Sequence, residues 1–218
     1  MHEYKNKFIK LSLKAQALCF GEFTLKSGRR SPYFFNSGKF NTGKALDILG
    51  SCYASKIIES NIEYDMLFGP AYKGIPLVAA TATALSREYG VEVPFAFNRK
   101  ENKGHGEGGK TVGAALRGNV LIIDDVITAG TAISESIKIL NVHEATPVGV
   151  VIGLDRCETN EDGLSTTKLF ASKTKIPVLS IINIFDILDF LSLTDELVKE
   201  IKVEQLEVLG TYVKNYCN

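Results

Sequence analysis

The stretch "VLIIDDVITAG", residues 120–130, limits the folds open to this chain more than any other. Four apolar residues run without a break into two acids, Asp124 and Asp125, and small or hydroxylic residues follow. An unbroken Val/Ile/Leu run of this length is a strand buried on both faces, which belongs to a parallel sheet with helices on either side. Similar runs occur at 147–155 and 176–184, with a shorter one at 64–70. Helical spacing fills the intervals: about 4–19 (Phe8, Leu11, Ala15, Leu18), 43–60 behind a Thr42 cap, 75–89, and 130–140 with Ile133, Ile137 and Leu140 inward. Residues 91–98 read as a strand whose Pro94 suggests a sheet edge. Strands alternating with helices give βαβ units, hence an α/β fold with a mostly parallel central sheet flanked by helices.

The chain has 218 residues, which suffices for one sizeable core. We expect one domain over 1–218, with a core of about 41–184. About 1–40 and the C-terminal segment form a small hood. Lys+Arg and Asp+Glu both total 25, so no basic excess advertises nucleic acid or a membrane surface. No apolar run is long enough to span a bilayer, and the N-terminal residues lack the apolar stretch of a secretory leader. Cys19, Cys52, Cys157 and Cys217 form no CxxC pair and match no zinc spacing, so we expect four reduced cysteines and a cytoplasmic protein.

In an open parallel sheet, ligands bind beyond the carboxyl ends of the strands. Asp124 and Asp125 stand at such an end, followed by Val126, Ile127, Thr128, Ala129, Gly130, Thr131 and Ala132. Backbone N–H groups of this turn, with a helix N-terminus behind them, can close around a phosphate. Carboxylates repel phosphate but accept hydrogen bonds from hydroxyls, so the pair suits a ribose carrying a 5-phosphate. The other reading is two capping acids on an ordinary strand-to-helix turn. A dinucleotide fingerprint and a Walker loop are both missing from the sequence.

"VLIIDDVITAGTA" closely resembles the phosphoribosyl-diphosphate (PRPP) signature of type I phosphoribosyltransferases. "FTLKSGRRSPYFFN" (23–36), "FGPAYKGIPL" (68–77), "FNRKENKGHGEGG" (97–109) and "GLDR" (153–156) resemble, in order and spacing, segments of the orotate phosphoribosyltransferases. The resemblance covers nearly the whole chain. It implies a type I phosphoribosyltransferase (Rossmann-like) core and transfer of the phosphoribosyl group from PRPP to orotate. The expected products are orotidine 5′-monophosphate and diphosphate, in pyrimidine synthesis. Two alternatives stay open: transfer to another base, and a non-catalytic PRPP-sensing regulator, which the balanced charge disfavours. A chain that also decarboxylates the product is not expected, because the sequence stops where the transferase does.

The resemblance assigns roles residue by residue. Tyr72 and Lys73 contact the diphosphate, against the alternative of a turn with a solvated lysine, and Gly74 allows close backbone approach. Arg99, Lys100, Lys103 and His105 lie in a glycine-rich stretch that reads as a lid over phosphate or as a plain surface loop. Lys103 and His105 are candidates to stabilise the departing diphosphate, with Asp124 and Asp125 completing the catalytic set. Lys26 is a PRPP contact. Phe34 and Phe35 face the pyrimidine, unless they are merely alternating strand residues with one in the core. Arg156 matches the orotate carboxylate, unless it pairs with Asp155 or Glu158. Thr128 is a further orotate candidate. Arg29 and Arg30 read as a solvated turn. Magnesium is expected as Mg²⁺ held mainly by PRPP and water, with no direct protein ligand. A homodimer whose lid reaches the neighbouring subunit's site is implied by resemblance alone.

Overall fold

The computed structural model describes residues 1–25, 27–100, 110–128, 130–160, 163–193 and 203–218. Its centre is a six-stranded sheet made of β3 (Met66–Gly69), β4 (Phe95–Asn98), β5 (Thr111–Gly113), β6 (Asn119–Asp124), β7 (Thr146–Asp155) and β8 (Val178–Asn183). The strand order is β5-β4-β3-β6-β7-β8. All neighbours are parallel except β4 and β5.

β6 shows why the sheet needs two covers. Val120 and Ile122 point into one hydrophobic cluster, Leu121 and Ile123 into the other. Side chains alternate across a strand, so four consecutive apolar residues feed two faces. One cover is α2 (Gly43–Ser60) and α3 (Gly74–Tyr89), with α1 (Glu3–Lys14) packed beside α2 against β8. The other is α4 (Thr131–Val142) and α5 (Thr166–Thr174), which supply Ile133, Leu140 and Phe170. Ile137 is only partly buried.

β1 (Leu18–Thr24) and β2 (Arg30–Phe35) form a separate antiparallel pair, the hood. α6 (Ile184–Leu193) and α7 (Val203–Tyr216) follow the last core strand, and α7 packs on β2. Phe8, Leu18 and Tyr33 join Leu67 and Leu121 of the core and Leu209, Tyr212 and Val213 of α7 in one cluster. All four cysteines are free thiols, with Cys52 and Cys157 buried.

Two sequence expectations need correction, and two short elements were not anticipated. The first helix ends at Lys14, so Leu18 belongs to β1 rather than to a helical face. β4 is not an edge strand: it begins after Pro94 and is covered by β5, and the N–H of Ala114, the residue after β5, donates to Phe95 O. Pro94 serves as an acceptor, taking Leu67 N–H at 3.0 Å. A three-residue strand such as β5 carries too little pattern to be read from sequence. α5 was not anticipated, since its apolar face is reduced to little more than Phe170.

The expected Thr42 cap forms: its side-chain oxygen accepts Ala45 N–H at 3.2 Å. Thr42→Ala should destabilise the protein by about 1 kcal/mol, the usual worth of an N-cap. Thr42→Ser should keep most of that, and urea denaturation midpoints compare the variants.

Candidate active site

The chain leaves β3 through α3 toward β4 on one side, and leaves β6 through α4 toward β7 on the other. Strand order therefore reverses between β3 and β6, and a crevice opens beyond their carboxyl ends. Two turns fill that end: Pro70–Lys73 after β3, and 125–130 after β6.

Both acids after β6 are buried, each only 6% exposed. Lys73 Nζ lies 2.7 Å from Asp125 Oδ2, and Ser37 Oγ donates to the same oxygen at 2.6 Å. Val126 N–H donates to Asp125 Oδ1, and Asp125 N–H to Asp124 Oδ1, both at 2.9 Å. Tyr53, buried in α2, donates its O–H to Asp124 O at 2.7 Å. Lys73 is thus more than a solvated turn residue: its side chain stays half exposed, yet its ammonium reaches back to Asp125. Burial raises Asp124 to about 7, and the Asp125 carboxylate adds to the rise, while Lys73 partly offsets it.

The turn after β6 is pinned from both sides. Val126 packs against one hydrophobic cluster and Ile127 belongs to the other. Ile127 is therefore available to a ligand only through its backbone. Gly130 opens α4 at φ 70°, where a side chain would be strained. Thr128, Thr131 and Ala132 are exposed, while Ala129 lies outside the described residues.

The turn after β3 sits tightly against β6. A Cβ on Gly74 would meet Pro70 Cδ at 2.6 Å and Ile123 O at 3.0 Å, which is the close approach the sequence suggests. Ala71 N–H is held by Asn98 Oδ1 at 2.7 Å, at the end of β4. Tyr72 is exposed, and Lys100 Nζ lies 5.0 Å from its ring centroid. Tyr72, Lys73, Arg99 and Lys100 are thereby brought to one corner. Arg99 N–H donates to Lys110 O at 2.7 Å, closing the base of the segment between them. Lys103 and His105 fall in that segment, and they and Lys26 lie outside the described residues.

The hood contributes less simply. The partly buried Phe35 ring stacks on Phe8 and lies tilted against Phe40, turned toward the core, so its backbone is the part more open to a base. Phe34 is exposed and stacked on Phe23 at 5.5 Å. Arg156 is paired with Glu158: Oε1 accepts from Nε at 2.9 Å and from Nη2 at 2.5 Å. Nη2 also donates to Ser31 Oγ, and the guanidinium lies 4.1 Å from the Tyr33 ring centroid. Asp155 is engaged elsewhere, by Thr167 and the Cys157 N–H. Arg29 is no solvated turn residue, since it donates to Thr159 O at 3.0 Å.

Sequence reasoning missed Ser37, Tyr53, Asn98 and Glu158 as site residues. Asn98 sat inside a quoted segment and Ser37 one residue beyond another, yet nothing local marks a hydroxyl or amide whose partner is 88 or 27 residues away. Among the described residues, no group of three or more His, Cys, Asp or Glu gathers to hold a metal. Two adjacent carboxylates suit an ion that takes its own ligands from substrate phosphate and water and meets the acids through that water.

A model of the phosphoribosyl transferase domain matches residues 39–173. The orotate phosphoribosyltransferase of Saccharophagus degradans is 54% identical over 191 residues, 88% of this chain and 90% of its own. This chain belongs to the orotate phosphoribosyltransferase family. A Pseudomonas putida orotate phosphoribosyltransferase is 55% identical over 192 residues, again 88% of this chain and 90% of the relative. The crystal structure of the Francisella tularensis orotate phosphoribosyltransferase has a TM-score of 0.82 at 47% identity, covering 97% of this chain and 99% of that one. Leishmania tarentolae adenine phosphoribosyltransferase, at TM-score 0.53 and 13% identity, shares the fold alone. The type I phosphoribosyltransferase architecture expected from the signature is the one observed.

A carboxyl raised on folding keeps a proton that the unfolded chain has already lost, so stability falls as pH climbs between the two values. For Asp124 that window runs from the ordinary 3.8 to about 7. Asp124→Asn should flatten this decline, because the amide oxygen still accepts Asp125 N–H and no charge is buried. Urea titrations across the window compare the two slopes.

Proposed function

We propose that this orotate phosphoribosyltransferase family member transfers the 5-phosphoribosyl group of PRPP to orotate. The products are orotidine 5′-monophosphate and diphosphate, and the step belongs to pyrimidine (UMP) biosynthesis. The observation that carries the reading is the junction at Asp125. There Lys73 of the β3 turn and Ser37 of the hood both meet the acidic pair, so three separate motif segments converge at one strand end.

In this reading the ribose hydroxyls of PRPP donate to Asp124 and Asp125. The backbone of Val126 to Ala132, at the N-terminus of α4, takes the 5-phosphate. Tyr72, Lys73, Arg99 and Lys100 lie along the diphosphate, joined by Lys103 and His105 from the lid, and Lys26 adds a further cation from the hood. Orotate lies against Phe34 and the Phe35 backbone, within reach of Thr128, with its carboxylate on Arg156. The C1–diphosphate bond breaks as N1 of orotate bonds to C1 from the opposite face, and the N1 proton is released to the departing diphosphate or to solvent. Charge builds on the ribose and on the leaving group together. Fixed carboxylates beside one and cations beside the other stabilise both without reorganising.

Magnesium enters this reading with PRPP: bound to the diphosphate and ribose oxygens, it would neutralise leaving-group charge. We further propose a homodimer in which the lid serves the neighbouring site, and a cytoplasmic location. Among the described residues no helix is long and apolar enough to cross a membrane.

Orotate consumption, followed by its ultraviolet absorbance, should require both PRPP and Mg²⁺. Activity with adenine or hypoxanthine instead would overturn the assignment. Asp125→Asn should lower kcat/KM for PRPP by about 10²-fold or more, in the range of a lost transition-state contact, with circular dichroism unchanged. Unaltered kinetics would remove Asp125 from the ribose site.

A further inference from the structure

Arg156 is placed above on the orotate carboxylate, yet its guanidinium already holds a carboxylate of its own. Glu158 accepts from Nε and Nη2, and the two side chains are each 15% exposed. An arginine neutralised by a partner at such short range has little charge left for a second anion.

The charges around Glu158 resolve the conflict. Arg29 Nη1 stands 3.8 Å from Glu158 Oε2, on the carboxylate oxygen that Arg156 does not use. Arg29 is fastened there: Nη2 donates to Thr159 O, and its guanidinium lies 5.0 Å from the Tyr216 ring centroid. Tyr212 O–H donates to Glu158 Oε1 at 2.6 Å and adds no charge. Two guanidinium groups on one carboxylate leave one positive charge. Arg156 Nη1 meets no acceptor among the described residues, so that charge has donors still to offer.

We propose that Arg29 and Glu158 are specificity-determining positioning residues for the acidic substrate. Glu158 fixes the plane of Arg156, and Arg29 replaces the charge that Glu158 cancels. The triad then presents a single positive charge to a single substrate carboxylate. Neither Arg29 nor Glu158 needs to touch the substrate. This rests on Arg156 being the orotate contact, and the test separates the two claims.

The test is the KM for orotate at saturating PRPP, beside the KM for PRPP and the melting temperature of each variant. Arg29→Met removes one positive charge and should raise orotate KM roughly three- to tenfold, the order that one partly screened charge exerts at close range. Glu158→Gln keeps an oxygen for Arg156 and Tyr212 but removes the negative charge, and should lower orotate KM. The double variant should return near the parent, and Arg29→Lys should rescue Arg29→Met. PRPP KM should hold throughout. If Arg29 and Glu158 only fasten the hood to α7, both single variants raise orotate KM, and the proposal falls. It falls equally if either leaves orotate KM unchanged. Should Arg29→Met fail to fold, the sign of the Glu158→Gln effect still decides. Arg156→Ala checks the underlying claim: no rise in its orotate KM would remove Arg156 from the carboxylate site, whatever the other variants do.

Discussion

The ion pair between Lys73 and Asp125 holds this site together. Two carboxylates at the end of a fully buried strand repel each other and lose their hydration, which is costly unless a cation stands close. Lys73 supplies it from the next strand of the sheet, and the approach of the two turns depends on Gly74 having no side chain. The compensation is partial, since Asp124 still holds its proton far above the ordinary carboxyl range. Such a site is poised for a ligand that brings hydroxyls and positive charge together.

The switch in strand order explains why this happens at one place. β3 and β6 are neighbours whose chains depart in opposite directions, so no helix covers the gap between their ends. Chemistry-bearing turns from two distant stretches meet there without either distorting its strand. The hood then adds Ser37 from a third stretch, which ties the hood to the acidic pair.

Much of this was legible in the sequence because it depends on local pattern. The buried run before Asp124, the Thr42 cap and the small residues after Asp125 each announce their structure within a few positions. The pairing of Arg156 with Glu158 was visible only as one of two options, since two residues of separation at a strand end leave the side-chain direction open. Arg29 was misread as solvated because its partners, Thr159 and Glu158, lie about 130 residues on. Ser37 and Asn98 failed to stand out for the same reason: a hydroxyl or amide in a turn looks alike whether it meets water or a buried acid. The short β5 was missed because three residues cannot display a period, and its role in covering β4 depends on tertiary pairing.

The turn after Asp125 carries Val126 in one hydrophobic cluster and Ile127 in the other. It is pegged through the sheet rather than draped over it. Lifting it would expose apolar surface on both faces of the sheet at once, so small local openings are suppressed. Pegged at Val126 and Ile127, the start of the turn keeps one backbone path, with the Val126 N–H held by Asp125 Oδ1. The start of this turn therefore behaves as part of the core, and conformational change must be supplied by other segments of the chain.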